Sequence, residues 1–249
     1  VADPTAPTLE AELRAIDAWW REAGVDCDFA DAPTNWLAEP EDEAGEVPIA
    51  PAKAPAAPVE APPERLAGGL QQWPATLEAF DAWWTAEPAL ALGARARVPM
   101  RGPAHAPLMV LVCQPEAEDT ATLLSGAQGA LLGNMLAAFG LAPEAARIAS
   151  LIPSCVPHPD WPGLDRAGWG ALARHHLALA APRRLLVFGQ VALPLLGHDP
   201  AQDSAAFSQV AHEGGVVPAL CAPDLDTLLH RPRLKARLWQ RWLEWTDGT

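Results

Sequence analysis

The stretch Pro182-Arg183-Arg184-Leu185-Leu186-Val187-Phe188-Gly189-Gln190-Val191-Ala192-Leu193-Pro194-Leu195-Leu196-Gly197 constrains the fold more than any other part of the chain. Four consecutive apolar residues, Leu185 to Phe188, suit a strand covered on both faces. Gly189 ends the strand, and the spacing predicts a helix over Gln190 to Leu196 that starts at once. An apolar strand, a glycine turn and an immediate helix form one piece of a strand–helix alternation, which leads to a parallel sheet.

The rest of the second half agrees. Leu108 to Cys113, Arg147 to Ile152 and Gly215 to Cys221 read as further strands. Gly129 to Phe139, Gly168 to Ala180, Leu225 to Leu229 and Arg233 to Trp245 read as helices. The expected fold is α/β, a three-layer α/β/α arrangement around a mainly parallel four-stranded sheet. Ligands of such sheets sit beyond the carboxyl ends of the strands. The loops after Cys113, Ile152, Phe188 and Cys221 are therefore the places to seek a site.

The first quarter has a different character. Leu9, Leu13, Ile16 and Trp20 recur at helical spacing, and Gly24 suits a helix stop. From Glu39 to Arg65 the chain is rich in Pro, Ala and Glu without apolar period, as in a semi-extended linker. A second helix is expected over Pro74 to Glu87. The predicted organisation is a Trp-bearing helical segment at 1–37, an acidic linker at 38–70, and an α/β domain at 71–249. The two amphipathic helices echo each other: Leu13-Arg14-Ala15-Ile16-Asp17-Ala18-Trp19-Trp20 matches Leu77-Glu78-Ala79-Phe80-Asp81-Ala82-Trp83-Trp84 at six of eight positions. The plain reading is chance similarity. The sharper one makes the first helix a detachable docking element that places Trp19 and Trp20 in a partner's groove. Packing of that helix on its own domain is a third alternative.

Charge limits the nucleic-acid options. The formal net charge is −14, which disfavours non-specific phosphate binding by the whole chain. Residues 1–66 carry 15 acids against 4 bases, and the remainder 16 against 13. The acid is thus concentrated in the appendage. Arg231, Arg233, Lys235, Arg237 and Arg241 form the one basic run. It reads first as a solvated helix face and second as a phosphate contact. Four scattered cysteines, without a Cys-x-x-Cys pair, suggest reduced thiols and a cytoplasmic chain. Val1 to Thr5 lacks the start of a signal peptide, and no apolar run is long enough for a membrane span.

From about Pro88 to Trp239, some 60% of the chain, segment order and spacing resemble the uracil-DNA glycosylase superfamily, closest to its iron–sulfur branch. The segment around Leu185 to Ala192 is similar to that branch's Arg-Pro-Lys-[hydrophobic]-Ala-Leu-Gly-x-x-Ala run. Leu108-Met109-Val110-Leu111-Val112-Cys113-Gln114-Pro115-Glu116 occupies the place of the family's strand and Gly-Glu-x-Pro-Gly loop. Pro115 matches, Cys113 stands where the family has Glu, and Glu116 replaces the second Gly. Leu123-Leu124-Ser125-Gly126-Ala127-Gln128-Gly129 resembles Pro-Phe-Val-Gly-x-x-Gly, with both glycines kept and Leu124 in place of the uracil-stacking Phe. Ser150 corresponds to the uracil-reading Asn. In the last motif, Ala222 or Asp224 takes the place of the catalytic His, depending on alignment.

The resemblance implies a base pocket at Gln114, Pro115, Leu124 and Ser150, and DNA contact through Arg231, Arg233 and Lys235. Hydrolysis of an N-glycosidic bond would need a carboxylate to hold water. The candidates are Glu116 and Asp119, with Asp224 a third that reads more simply as a helix N-cap. Glu116 and Asp119 also admit a plain reading, as part of a solvated acidic turn with Glu118. The cluster ligand positions fall near Thr85, Pro88 and Trp169, and Cys155 alone lies near one, so no iron–sulfur cluster is expected. The adjacent His175 and His176 do not form a zinc pattern, and no metal or other cofactor is predicted. The expectation is a glycosylase-like protein linked to DNA repair, weakened or inactive in catalysis, that binds DNA or a repair partner. The alternatives are an active divergent glycosylase and a protein-interaction module.

Overall fold

The computed structural model describes residues 9–22, 66–199 and 208–247. The chain divides into two compact units, Val1–Ala57 and Pro58–Thr249. In the first unit, Leu9–Glu22 forms helix α1; the expected stop at Gly24 lies outside the described residues. Every residue of α1 is exposed. In the second unit, helices α2 (Leu77–Ala86), α3 (Ala127–Ala138), α4 (Trp161–Ala167), α5 (Trp169–Ala180), α6 (Leu225–His230) and α7 (Pro232–Asp247) surround a five-stranded sheet. Its strands are β1 (Met109–Val112), β2 (Arg147–Ser150), β3 (Leu185–Phe188), β4 (Gln209–His212) and β5 (Gly215–Ala222).

The strand order is β2-β1-β3-β5-β4. The first four are parallel, in register Met109↔Arg147, Met109↔Leu185 and Leu185↔Ala219. Strand β4 pairs antiparallel with β5 through a hairpin turn at Glu213-Gly214. The expected sheet of four strands therefore gains a fifth. Only Val210 of β4 is buried, so this edge strand shows little apolar alternation in sequence.

The sheet residues divide by pleat, as period-two side chains must. Met109, Leu111, Leu185, Val187 and Ala219 face one core with Phe80, Trp84, Trp169, Leu172 and Leu177 from α2 and α5. Val110, Val112, Leu186, Phe188 and Leu220 face the other, with Leu132, Leu136, Leu228, Leu238 and Trp242 from α3, α6 and α7. These two cores define the three layers. Both faces of β1 and β3 are covered, which explains their unbroken apolar runs.

Three helix expectations change. The segment after Gly189 is two 3₁₀ turns, Gln190–Ala192 and Pro194–Leu196, because Pro194 has no N–H to continue an α-helix. The helix expected from Pro74 begins at Leu77, where the Thr76 hydroxyl accepts from the Ala79 amide. Helix α4 precedes α5, separated from it by Gly168 in the left-handed region at φ 102°. Its start carries an Asp160 cap and Pro162 in the first turn, both ordinary start signals.

A buried polar cluster ties α2 to the beginning of β2. Arg147 is fully buried. Its guanidinium pairs with the Asp81 carboxylate, donates to His176 Nε2 at 2.9 Å, and donates to the Gly102 carbonyl at 2.8 Å. Burial, then the neighbouring Arg147 charge, hold His176 well below the ordinary imidazole pKa. It therefore stays neutral and accepts from Arg147 while its ring stacks on Phe80 at 4.9 Å.

Candidate functional site

The order of the sheet locates the main cleft. From β1 the chain passes by α3 to β2, then by α4 and α5 to β3 on the other side of β1. The loops leaving β1 and β3 thus depart to opposite faces, and a crevice opens between their carboxyl ends. A cleft of about 620 Å³ lies there. Gln114, Glu116, Gln128, Trp161, Gln190 and Asp224 bring side chains of different kinds to its lining. The size is that of a small-ligand site.

Close packing of the β1 and β3 loops depends on Gly189. Its φ is 103°, and a Cβ built there would lie 2.5 Å from Cys113 Sγ. The Cys113 thiol donates to the Phe188 carbonyl at 3.3 Å. Burial, reinforced by the Asp224 and Cys221 charges, pushes its pKa up to about 12. A thiol so raised is protonated at neutral pH and is no nucleophile. Cys221 is likewise raised by burial, to about 11.

The two leading carboxylate candidates lie in the β1–α3 loop and are both buried, which departs from the expected solvated turn. Glu116 lines the cleft, but its oxygens face the start of α3. Oε2 accepts from the Gly126 amide at 2.9 Å and Oε1 from the Gln128 amide at 3.0 Å. It thereby caps free N–H groups of the helix and opposes the positive end of its dipole. Asp119 does not line the cleft. It accepts from the amides of Glu116 (2.9 Å), Leu124 (2.7 Å) and Ser125 (2.8 Å) and from the Ser125 hydroxyl (2.6 Å). Burial tends to raise its pKa, yet the bonds from Ser125, Leu124 and Glu116 outweigh that and hold it below the ordinary carboxylate value. These bonds also support Leu124 at φ 56°, a left-handed conformation unusual for a leucine.

Asp224 lines the cleft as the N-cap of α6, accepting from the Thr227 amide at 2.7 Å and its hydroxyl at 2.8 Å. Of the expected base-pocket residues, Gln114 and Pro115 line the cleft. Gln114 Oε1 accepts from the Val156 amide at 3.0 Å, which fixes the side chain across to the β2–α4 loop. Leu124 belongs to the α3-side core and Ser150 is buried at the end of β2; neither lines the cleft. Ser150 Oγ is buried without a hydrogen-bond partner. Ala222, the alternative match to a catalytic His, is buried at the end of β5.

Arg231 and Arg233 flank a separate shallow groove at the α6–α7 corner, and Lys235 lies one turn along α7. Arg241 is occupied, donating to the Cys221 carbonyl at 2.9 Å. Trp242 stacks on Phe139 at 3.8 Å in the core. His175 and His176 both lie buried, His175 bonded to the Pro74 carbonyl at 2.8 Å. No group of three or more metal-binding side chains occurs among the described residues. Nor is any described helix long and apolar enough to cross a membrane.

Sequence reasoning missed Gln128, Cys155, Trp161, Gln190 and Asp226 as cleft residues. Cys155 lies in the loop after β2, and the other four lie in the first turn of a helical element that follows a strand, so the topological rule was a usable signal. Among the described residues, the cleft lining includes the carboxylates Glu116, Asp224 and Asp226 but no Lys, Arg or His. No protein-family model matches the chain, and no curated protein matches it.

Proposed function

We propose that the Pro58–Thr249 unit is a uracil-DNA-glycosylase-like domain, linked to DNA repair, that binds without excising bases. The carrying observation is the commitment of both leading carboxylates: Glu116 caps α3 and Asp119 fastens the β1–α3 loop. A general base must reach a water or substrate proton by hydrogen bond. Asp119 has no such access, since it does not line the cleft. Glu116 has two amides on its two oxygens. The protonated Cys113 thiol supplies no alternative base. The parallel order β2-β1-β3-β5, the cleft at its reversal point, Gly189 in its lining, and Gly126 and Gly129 at the start of α3 support the glycosylase-like reading.

The acidic lining makes the cleft a poor host for a phosphodiester chain. Any DNA is expected at the α6–α7 corner, through Arg231, Arg233 and Lys235, with an affinity that falls steeply as salt rises. The test is base excision by the full-length protein on single- and double-stranded oligonucleotides carrying uracil, hypoxanthine or xanthine, scored by alkaline cleavage. No cleavage by folded protein is the expected result. Cleavage that disappears in a folded Glu116→Gln variant would replace this reading with that of a divergent enzyme.

A second reading concerns the first unit alone. Leu9, Leu13, Ile16, Trp19 and Trp20 of α1 are between 46% and 72% exposed. An isolated helix of this length is marginal in water, and most helical stability comes from burying an apolar face. This favours α1 as a docking helix for a repair partner, anchored by Trp19 and Trp20. A photo-crosslinking residue at position 19 or 20, used in cells, should give a discrete adduct; none would reject the docking role.

A further inference from the structure

The echo between α1 and α2 has a use because the fold displays what the α2 copy of the pattern binds. Phe80 and Trp84 are 0% and 2% exposed, whereas the matching Ile16 and Trp20 are 52% and 46% exposed. In α2, Phe80 stacks on the His176 ring at 4.9 Å, and Trp84 meets Trp169 edge-on at 6.1 Å. The Trp84 indole N–H donates to the Val98 carbonyl at 3.2 Å. Asp81, between these rings in sequence, pairs with the buried Arg147 guanidinium. The α2 seat is therefore a groove floored by aromatic and imidazole rings, with one arginine set opposite the helix carboxylate.

Helix α1 repeats the features this seat reads. Leu13, Ile16, Asp17 and Trp20 occupy the places of Leu77, Phe80, Asp81 and Trp84. Ile16 is smaller than Phe80, and the other three residues are identical. Asp17 pairs with Arg21 on the helix surface at 2.8 Å. An exposed i,i+4 pair of this kind is weak and readily exchanged for a better-placed cation. The apolar stripe supplies the area, and the carboxylate within it supplies direction, because burying it is favourable only opposite a fixed cation.

We propose that α1 is a second copy of the α2 recognition pattern and docks on a partner protein whose surface reproduces the α2 seat: a ring-floored apolar groove with an arginine placed to meet Asp17. This rests on the reading of α1 as a docking helix and adds the chemistry of its receptor. A complementary cation decides between this partner and a purely greasy groove.

The seat itself serves as the probe. A labelled peptide spanning Pro7 to Gly24 is titrated into two forms of the full chain, both with Ile16→Ala and Trp20→Ala to silence their own α1. One form keeps α2 intact; the other carries Phe80→Ala, Asp81→Ala and Trp84→Ala, which remove the side chains that hold α2 on its seat and let the peptide displace it, with Asp81→Ala and Trp84→Ala together as the milder variant should the triple fail to fold. Fluorescence anisotropy and the unfolding midpoint are read together. The peptide should bind and stabilise the vacated form and leave the filled form unaffected. Trp20→Ala in the peptide should weaken binding about 30-fold, as loss of a hot-spot ring does. Asp17→Ala should weaken it about tenfold or more, in proportion to a lost buried charge pair. Equal binding to filled and vacated forms, or no binding to a folded vacated form, overturns the proposal. Loss with Trp20→Ala but none with Asp17→Ala also overturns the arginine seat, yet leaves the docking role to be judged by the crosslinking result.

Discussion

Replacing Asp119 by alanine should destabilise the Pro58–Thr249 unit far more than a surface change. The carboxylate accepts four hydrogen bonds, and two of them, from the Glu116 and Leu124 amides, are buried. Ser125 is exposed, so its amide and hydroxyl can regain water. The two buried amides cannot do so without the loop opening. Bonds to a charged acceptor contribute about 1.5–3 kcal/mol each, which bounds the loss at roughly 3–6 kcal/mol. Partial relaxation of the loop brings the expectation to about 3 kcal/mol, a large share of the roughly 5–15 kcal/mol typical of a domain. For a unit of this size that is a fall of about 6–12 °C in the unfolding midpoint. Asp119→Asn, which keeps one acceptor oxygen, should lose about half as much.

The same residue has a pH signature. Its folded pKa is held below the ordinary carboxylate value, so its stabilisation is complete above the unfolded pKa. That stabilisation drains away as pH falls through the depressed folded value. The wild type should therefore lose stability below about pH 4 more steeply than Asp119→Ala. Urea unfolding at pH 7 and across the acid range, followed by fluorescence, measures both effects. A loss under about 1 kcal/mol at pH 7, or parallel acid limbs, would refute the fastening role and return Asp119 to the catalytic candidates.

Three further outcomes are expected. Asp81→Ala strands the buried Arg147 guanidinium and should cost about 3–5 kcal/mol in urea unfolding, while the Asp81→Asn variant should cost less. Gly189→Ala should cost more than about 2 kcal/mol, because it combines a φ of 103° with a contact 2.5 Å from Cys113 Sγ; adding Cys113→Ala should recover part of that loss but not the backbone share. Cys113 should resist alkylation by iodoacetamide near pH 8 in the native protein and react once unfolded, since its thiol pKa stands at about 12; mass spectrometry of the labelled peptides distinguishes it from the other thiols.

What could be read in the sequence was whatever depends on neighbouring residues. The apolar runs of β1 and β3 carried the sheet, because strands covered on both faces need no alternation. Helical spacing carried α1, α3, α5 and α7. Position after a strand end carried Gln114 and Pro115 into the cleft. Helix α4 was missed, although Asp160 and Pro162 offered a short start signal. Strand β4 was not, since its pairing with β5 rather than its own pattern makes it a strand.

Tertiary structure decided what the acidic residues do. In sequence, Glu116 and Asp119 are carboxylates after a strand, equally suited to solvent, water activation or capping. The choice was made by amides up to 12 residues downstream, which the loop folds back onto them. The same holds for Arg147 and Asp81, which are 66 residues apart in the chain and meet only when α2 covers the start of β2. Local pattern reports which face a side chain takes, because helical and strand periods are fixed by the backbone. It cannot report which donor will meet a buried charge, because that partner comes from a distant segment and burial gives the pair its strength. The repeated Leu-x-Ala-x-Asp-Ala-Trp-Trp pattern shows both limits at once: the sequence determined two similar helices, and only the fold buried one of them and left the other exposed.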